Sequence, residues 1–391
     1  MLYGGGGGYI KLSLIYDFRN ILFMSRFIAF MLALTAAGFF IGCDQYPIFY
    51  AVSKEEKLKE PKIPGSLTKI VKTGDNETDK LYVSNGKIFV CEKGSGDWRW
   101  SGFSNPSGGD VRDIAVCGST LYALTINYSN GDSAIWKYDS GWSRIASASN
   151  LGYQAIYGTD THLFAALYRG PPSKNGNDYR IVAFNNAGAS LWEYGVTYFL
   201  TGAAHTGSNY YLSTKGDGIF YIPVITSPPT PTNKVTGTVN SINALLVYDT
   251  NKIAASSHEG YIYQISGTSA TTSDDKGTLS TSGTLALWNK DGAKLLLVGF
   301  KVDSYRFGYR EMDIDDASGN INFSSFRSPS TSVNDNESYI ATLEKKALNG
   351  LMQAPGPAGD FPLVFASTQK DGLWSFRRGG DENRFIWNRE D

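Results

Sequence analysis

The chain has 391 residues, 36 basic against 37 acidic side chains and 42% hydrophobic content. Charges this nearly balanced supply no global field to draw the protein to nucleic acid, and three cysteines are too few for a disulfide scaffold or a zinc cluster. Glycine (43), tyrosine (24) and phenylalanine (21) are abundant; aromatics suit pleated, half-buried surfaces and glycine the turns between them, so an all-β chain is expected.

Residues 1–23 carry the glycine string Gly4 to Gly8 and read as an over-extended start, with translation expected from Met24. Ser25 and Arg26 then form a short positive region, Phe27 to Gly42 is free of charge, and Cys43 follows at once. Residues 24–42 followed by Cys43 resemble the signal peptide and lipobox of bacterial, spirochaete-like lipoproteins, with Phe40 where the usual pattern has leucine. The resemblance implies cleavage before Cys43, acylation of that cysteine, and a protein held to a membrane of the bacterial cell envelope. Residues 43–65 hold a charged patch, Lys54 to Glu60, then Pro61 and Pro64, and read as a tether between lipid and folded domain.

From residue 66 to residue 391 the chain repeats itself loosely, with a period near 45 residues. A compressed unit opens the series with Lys80 to Val83, Lys87 to Val90 and Asp97 to Trp100. The clearest unit follows: Asp113 to Val116, Leu121 to Leu124, Ile135 to Tyr138 and Trp142 to Ile145, each short and bounded by turn residues. Later units centre on Leu163 to Leu167, Tyr210 to Ser213, Lys252 to Ser256, Lys294 to Gly299 and Leu363 to Ser367. Ser338 to Met352 is the one stretch of helical character. The third strand repeats best, as glycine, an aliphatic, an aromatic, a variable residue and an aromatic or Ile at Gly218 and Gly372; Tyr261 adds one residue after Gly260. Four short strands per period are the mark of a β-propeller of seven four-stranded blades, with six or eight also fitting. The units resemble WD40-like and NHL-like propellers in length and strand pattern, without the Gly-His and Trp-Asp dipeptides of true WD40 blades.

Catalytic chemistry is hard to find. His162, His205 and His258 fall at different places in three successive units, so a metal site is not expected of them. Zinc-protease, nucleophile-elbow and phosphate-loop motifs do not occur. Ser129 to Trp136 fails as a sialidase Asp-box, and the acidic turns Asp75 to Asp79 and Asp313 to Asp316 read as solvated hairpins rather than calcium loops. Cys91 and Cys117 leave one disulfide open, with two separate buried thiols as the alternative.

A positional argument identifies a candidate binding face. Loops joining second to third strands of a propeller all open on one face around its axis. Here those loops carry Tyr128, Arg169, Lys215, His258, Tyr305, Arg306 and Lys370, aromatic and cationic groups suited to an anionic or extended partner. The expected function is a membrane-anchored envelope lipoprotein whose propeller is a rigid, non-catalytic platform for a protein or extended ligand. No cofactor and no nucleic-acid partner are expected; the lipid bilayer is a partner through acylated Cys43. Two other readings stay open: a propeller hydrolase, lyase or lactonase with its site in the central channel, and a surface adhesin.

Overall fold

The chain divides into residues 1–59 and residues 60–391. The computed structural model describes residues 62–390, apart from 77, 95–97, 151, 171–177, 208, 239, 274–281, 291, 302–307, 330–336, 339–342, 344–345, 356–362 and 379–384. Cys43, its leader and the body of the tether lie outside the described residues. Among the described residues no helix is long and apolar enough to cross a membrane.

The folded unit is a seven-bladed β-propeller; blades 1 to 6 are antiparallel sheets of consecutive strands with the first innermost, and blade 7 differs by a short outermost strand that pairs parallel to its neighbour. Blade 1 comprises β1 (Val71–Lys72), β2 (Leu81–Ser84), β3 (Ile88–Lys93) and β4 (Trp98–Gly102). Blade 2 comprises β5 (Asp110–Cys117), β6 (Thr120–Asn127), β7 (Asp132–Tyr138) and β8 (Trp142–Ala148). Blade 3 comprises β9 (Tyr153–Gly158), β10 (His162–Tyr168), β11 (Tyr179–Asn185) and β12 (Ser190–Val196). In blade 4, β13 (Leu200–Thr206), β14 (Asn209–Thr214) and β15 (Ile219–Ile222) are joined by a single outer bridge, Phe220 to Lys234. Blade 5 comprises β16 (Ile242–Asp249), β17 (Lys252–Ser257), β18 (Ile262–Ser266) and β19 (Ser269–Thr272). In blade 6, β20 (Ser282–Lys290), β21 (Ala293–Phe300) and β22 (Tyr309–Ile314) are flanked by bridges to Ile321 and Arg327. Blade 7 adds the short β23 (Glu337–Ser338) outside β24 (Leu348–Gln353), β25 (Val364–Thr368), β26 (Leu373–Arg378) and β27 (Phe385–Arg389).

Helical character does not materialise at the end of the stretch Ser338 to Met352. Leu348–Gln353 is the innermost strand of blade 7.

Seven buried clusters occupy the seven interfaces between adjacent blades. Each sheet is apolar on both faces and buries each against a neighbour, which is why a lone blade is not a stable unit. The second strands lie deepest: Leu163 to Leu167 is buried throughout and reads as an apolar run rather than an alternating one. Third strands alternate. Ile219 faces blade 5 and Phe220 faces blade 3; in blade 7, Leu373 faces blade 1 and Trp374 faces blade 6.

The extra Tyr261 has a simple explanation. Ile219, Ile262 and Leu373 pair with the equivalent serines Ser213, Ser256 and Ser367, so the strands share one register. The glycine has moved within a loop of constant length, and the strand has not slipped.

The circle closes between blades 7 and 1. Lys62 N donates to Glu390 O at 3.1 Å, Leu67 N to Thr368 O at 3.0 Å, and Asn349 Nδ2 to Leu67 O at 2.7 Å. Residues 62–65, read from sequence as the last of the tether, are already seated on the ring, with Ile63 fully buried.

Candidate functional site

The innermost strands share a local irregularity that shapes the axis. In blades 2 to 7 the pairing with the second strand skips one residue: Arg112, Gln154, Thr201, Asn243, Gly283 and Asn349. Such a bulge bends the strand and turns two successive residues toward one side. In blade 5 the pairing skips Tyr248 as well, and each of the six residues named is polar or glycine. Two of them stitch neighbouring blades at the axis: Thr201 Oγ1 donates to Ile242 O at 2.7 Å, and Asn349 reaches Leu67 O.

Around the axis lies a cavity of about 430 Å³ lined by all seven innermost strands. Lys69 and Asp113 stand at its mouth, on the side of the second-to-third loops. Lys69 Nζ donates to Asp113 Oδ2 at 2.9 Å and to Ile156 O at 2.5 Å, and lies 4.3 Å from the centre of the Tyr157 ring. Asp113 is held by three donors in all: Oδ2 also accepts from Ile156 N at 3.0 Å, and Oδ1 accepts from Ile114 N at 2.9 Å.

Lys301 enters the same cavity. Its stem crosses Gly283, where any β-carbon would collide with it. The side chain is crowded by the cavity walls yet still open to water along the axis. Burial, then the like charges of Lys69 and Lys215, hold its ammonium pKa below the usual lysine value, against the opposing pull of Asp113.

The described members of the expected binding set sit in second-to-third loops. Tyr128 is 64% exposed at the start of the β6–β7 loop. Lys215, His258 and Lys370 sit in four-residue loops, 215–218, 258–261 and 369–372. These turns are built alike: Thr214 Oγ1 accepts from Asp217 N, Thr368 Oγ1 accepts from Asp371 N, each at 2.8 Å, and Gly218 and Gly372 take φ of 81° and 77°. Arg169 is tied across its own blade, donating Nη2 to Glu193 Oε2 at 2.6 Å. Tyr305 and Arg306 lie outside the described residues. Of this set, Lys215 is near enough for its charge to act on Lys301, while Tyr128, Arg169 and Lys370 occupy separate loops. Lys69, Asp113 and Lys301 escaped the sequence reading. The one signal was a carboxylate at Asp113 inside an innermost strand.

The histidines need a partial correction. His258 stands apart, but His162 and His205 meet across the interface of blades 3 and 4 on the opposite face. Tyr210 Oη lies 2.9 Å from His162 Nδ1, His205 stacks on the Tyr210 ring at 4.1 Å, and His205 Nδ1 lies 2.5 Å from Asp160 Oδ1. Burial, then the neighbouring His205, hold the His162 pKa below its usual value, while Asp160 pulls the other way. A depressed histidine pKa means the unfolded chain binds the extra proton first. The stability it contributes is complete above the ordinary histidine pKa of about 6.5 and is lost as pH falls below it. Melting temperature should therefore decline on acidification between about pH 7 and 5, with a component missing in His162→Gln. Superimposable pH profiles for the two proteins would refute this.

Cys91 and Cys117 are not joined. Cys91 belongs to the core between blades 7 and 1 and Cys117 to the core between blades 2 and 3, where burial pushes its thiol pKa up to about 12. The acidic turn at Asp313 is a tied hairpin: Asp313 meets Arg327 at 2.8 Å, and Asp315 accepts from Ser318 N at 2.7 Å and Ser318 Oγ at 2.8 Å.

Among solved structures, the WD40 β-propeller domain of Doa1 is similar, with a TM-score of 0.51 over 84% of this chain and 97% of that one. At 8% identity the likeness concerns the fold alone. Two uncharacterized lipoproteins of Treponema pallidum (strain Nichols) are similar in sequence. One is 29% identical over 108 residues, 28% of this chain, and the other 35% identical over 95 residues, 23% of it. The matches span 26% and 19% of the length of these curated relatives. The TP013X lipoprotein family matches residues 21–342, most of the chain, and the protein belongs to that family.

Proposed function

We propose that this protein is anchored to an envelope membrane through acylated Cys43 and acts, without catalysis, as a rigid platform. Its second-to-third loops would capture an envelope protein or an extended ligand. Membership of a lipoprotein family supports the anchor, and the propeller supports the platform. The observation that carries the reading is the make-up of the loop face at the axis. Lys69 and Lys301 line the axial cavity there, and Asp113, the one carboxylate among its described lining residues, accepts from Lys69 Nζ, Ile156 N and Ile114 N. A carboxylate already held by an ammonium and two backbone N–H groups has little acceptor capacity left for substrate, so this geometry favours binding over the channel-enzyme reading. The lipid would confine the loops near neighbouring membrane proteins and raise their effective concentration.

Two measurements test it. Cys43→Ser should move the protein from the membrane pellet to the soluble fraction and abolish incorporation of labelled palmitate; retention in the pellet removes the anchor. A photoreactive residue replacing Tyr128 or Lys215 should give discrete adducts in native membranes, whereas one replacing Ala187, exposed in the β11–β12 turn of the opposite face, should not. Adducts only from position 187, or from none, would overturn the platform reading.

A further inference from the structure

We propose that the axial cavity lined by Lys69 and Lys301, with Lys215 on a loop of the same face, is a site for a small organic anion, a carboxylate or phosphate ester carrying a compact apolar group. The lysines come from three parts of the ring: the segment leading into blade 1, the β14–β15 loop of blade 4, and the end of β21 in blade 6. Lys69 and Lys301 line the cavity itself, and Lys215 is near enough for its charge to act on Lys301. Lys69 is paired with a carboxylate, Asp113, which also accepts from two backbone N–H groups. Among the described residues, Lys215 and Lys301 have no ion pair of their own.

Lys301 at the cavity and Lys215 on the same loop face are thus left without an ion pair of their own among the described residues. The depressed Lys301 pKa reflects burial first and then the like charges of Lys69 and Lys215, partly offset by Asp113. A bound anion would offset those like charges. Charge-assisted hydrogen bonds to two or three ammonium groups are the natural recognition of a carboxylate or phosphate.

Farther along the innermost strands, away from Lys69 and Lys301, the wall is largely apolar, although Lys72, which pairs with Asp75, also lines it. Val71, Val116, Ala203, Leu246 and Met352 line the cavity and are each only half-buried. Apolar surface left half-covered in a concave site is what a ligand's hydrocarbon part covers. The volume, about 430 Å³, lies in the range of small-molecule sites. The bulges matter here too: Gly283 leaves the lane through which the Lys301 stem reaches the axis.

This inference shares the loop face with the platform reading, but the tests fail separately, since anion capture needs no protein adduct at Tyr128 or Lys215. The probes are hexanoate, hexyl phosphate and inorganic phosphate, with hexanol and hexylamine as neutral and cationic controls, titrated calorimetrically into the full-length protein in nanodiscs. Hexanoate or hexyl phosphate should bind saturably with Kd on the order of 1 mM or tighter, and the two controls about tenfold more weakly or not at all. The two anionic arms separate a carboxylate ligand from a phosphate ester. Lys215→Gln with Lys301→Gln should weaken the bound arm about tenfold while leaving the melting temperature unchanged. As a check that needs no variant, saturating hexanoate or hexyl phosphate should slow acetylation of Lys301 by a water-soluble succinimidyl ester. Absence of saturable anion binding, equal binding of hexanol, or unaltered affinity in the double variant would each overturn the site. Inorganic phosphate binding as tightly as hexyl phosphate would overturn its apolar half.

Discussion

Phe365→Ala should destabilise the propeller by about 3–5 kcal/mol, the range for a large aromatic removed from a core that cannot collapse around the gap. Phe365 is fully buried in β25 and meets Trp100 of β4 edge-on, with ring centres 5.4 Å apart and planes at 88°. The two rings belong to the last and first blades, so this contact spans the seam at which the circle closes. Elsewhere in the ring the covalent chain also holds adjacent blades together. At the seam only packing and hydrogen bonds do so: Lys62 to Glu390, Leu67 to Thr368, and Ser367 Oγ to Thr68 O at 2.7 Å. A cavity there weakens the one interface without a covalent backup. Trp100 Nε1 has no hydrogen-bond partner among the described residues, so the indole contributes through shape and area rather than through its N–H. Trp100→Phe should therefore cost less than Phe365→Ala, and the double variant should fall short of the sum, since the residues share one contact. Chemical denaturation monitored by tryptophan fluorescence decides the matter. A loss under about 1 kcal/mol for Phe365→Ala would mean that the seam does not hold the ring closed.

Much of the ring was legible from sequence because its outer three strands obey simple rules. Ile135 to Tyr138 and Gly218 to Ile222 alternate, Leu163 to Leu167 is a continuous apolar run, and glycine-bearing turns separate them. The innermost strands obey a different rule, and that is where the reading slipped. A bulge at the skipped residue places core side chains three apart rather than two. Val111 with Ile114, Tyr153 with Ile156, Leu200 with Ala203, Ile242 with Leu245 and Leu348 with Leu351 each share one inter-blade cluster. Three-apart spacing is the helical signal, so Leu348, Leu351 and the adjacent Met352 looked like part of a helix while forming β24. At β1 the strand is only two residues long and carries no pattern at all.

The site was harder to see than the fold. Loop residues such as Tyr128 and Lys215 could be located because strand order alone fixes the face on which a loop opens. Lys69 and Lys301 could not, because a lysine beside a strand looks the same whether it points to bulk water or to an axis. The pairing of His162 with His205 was hidden for a related reason. One begins a second strand and the other lies in an innermost strand, so their places in the repeat differ, yet the ring brings those places together across an interface.

Gly158→Val should cost about 3 kcal/mol or more, at or beyond the upper end of ordinary overpacking, although valine is the better strand residue by propensity. Gly158 ends β9, the innermost strand of blade 3, where the blades taper toward the axis and backbones run side by side. A β-carbon at this position would overlap the Val116 carbonyl of blade 2. The obstacle is backbone in a strand fixed on its other side by Val116 pairing with Leu121, so no rotamer change can relieve it. Gly350 meets the same limit in blade 7, where a β-carbon would lie 2.7 Å from Ile70 N. Small residues on innermost strands are therefore set by the wedge shape of the blades rather than by turn geometry. Gly102→Ala is the matched control: it ends the strand β4, has open space around its would-be β-carbon, and should change stability by no more than about 0.5 kcal/mol. Urea unfolding of the two variants separates the accounts. Near-equal midpoints for Gly158→Val and Gly102→Ala would show that the inner strands can spread at the axis, and the rigid ring on which the loop face is mounted would have to be abandoned.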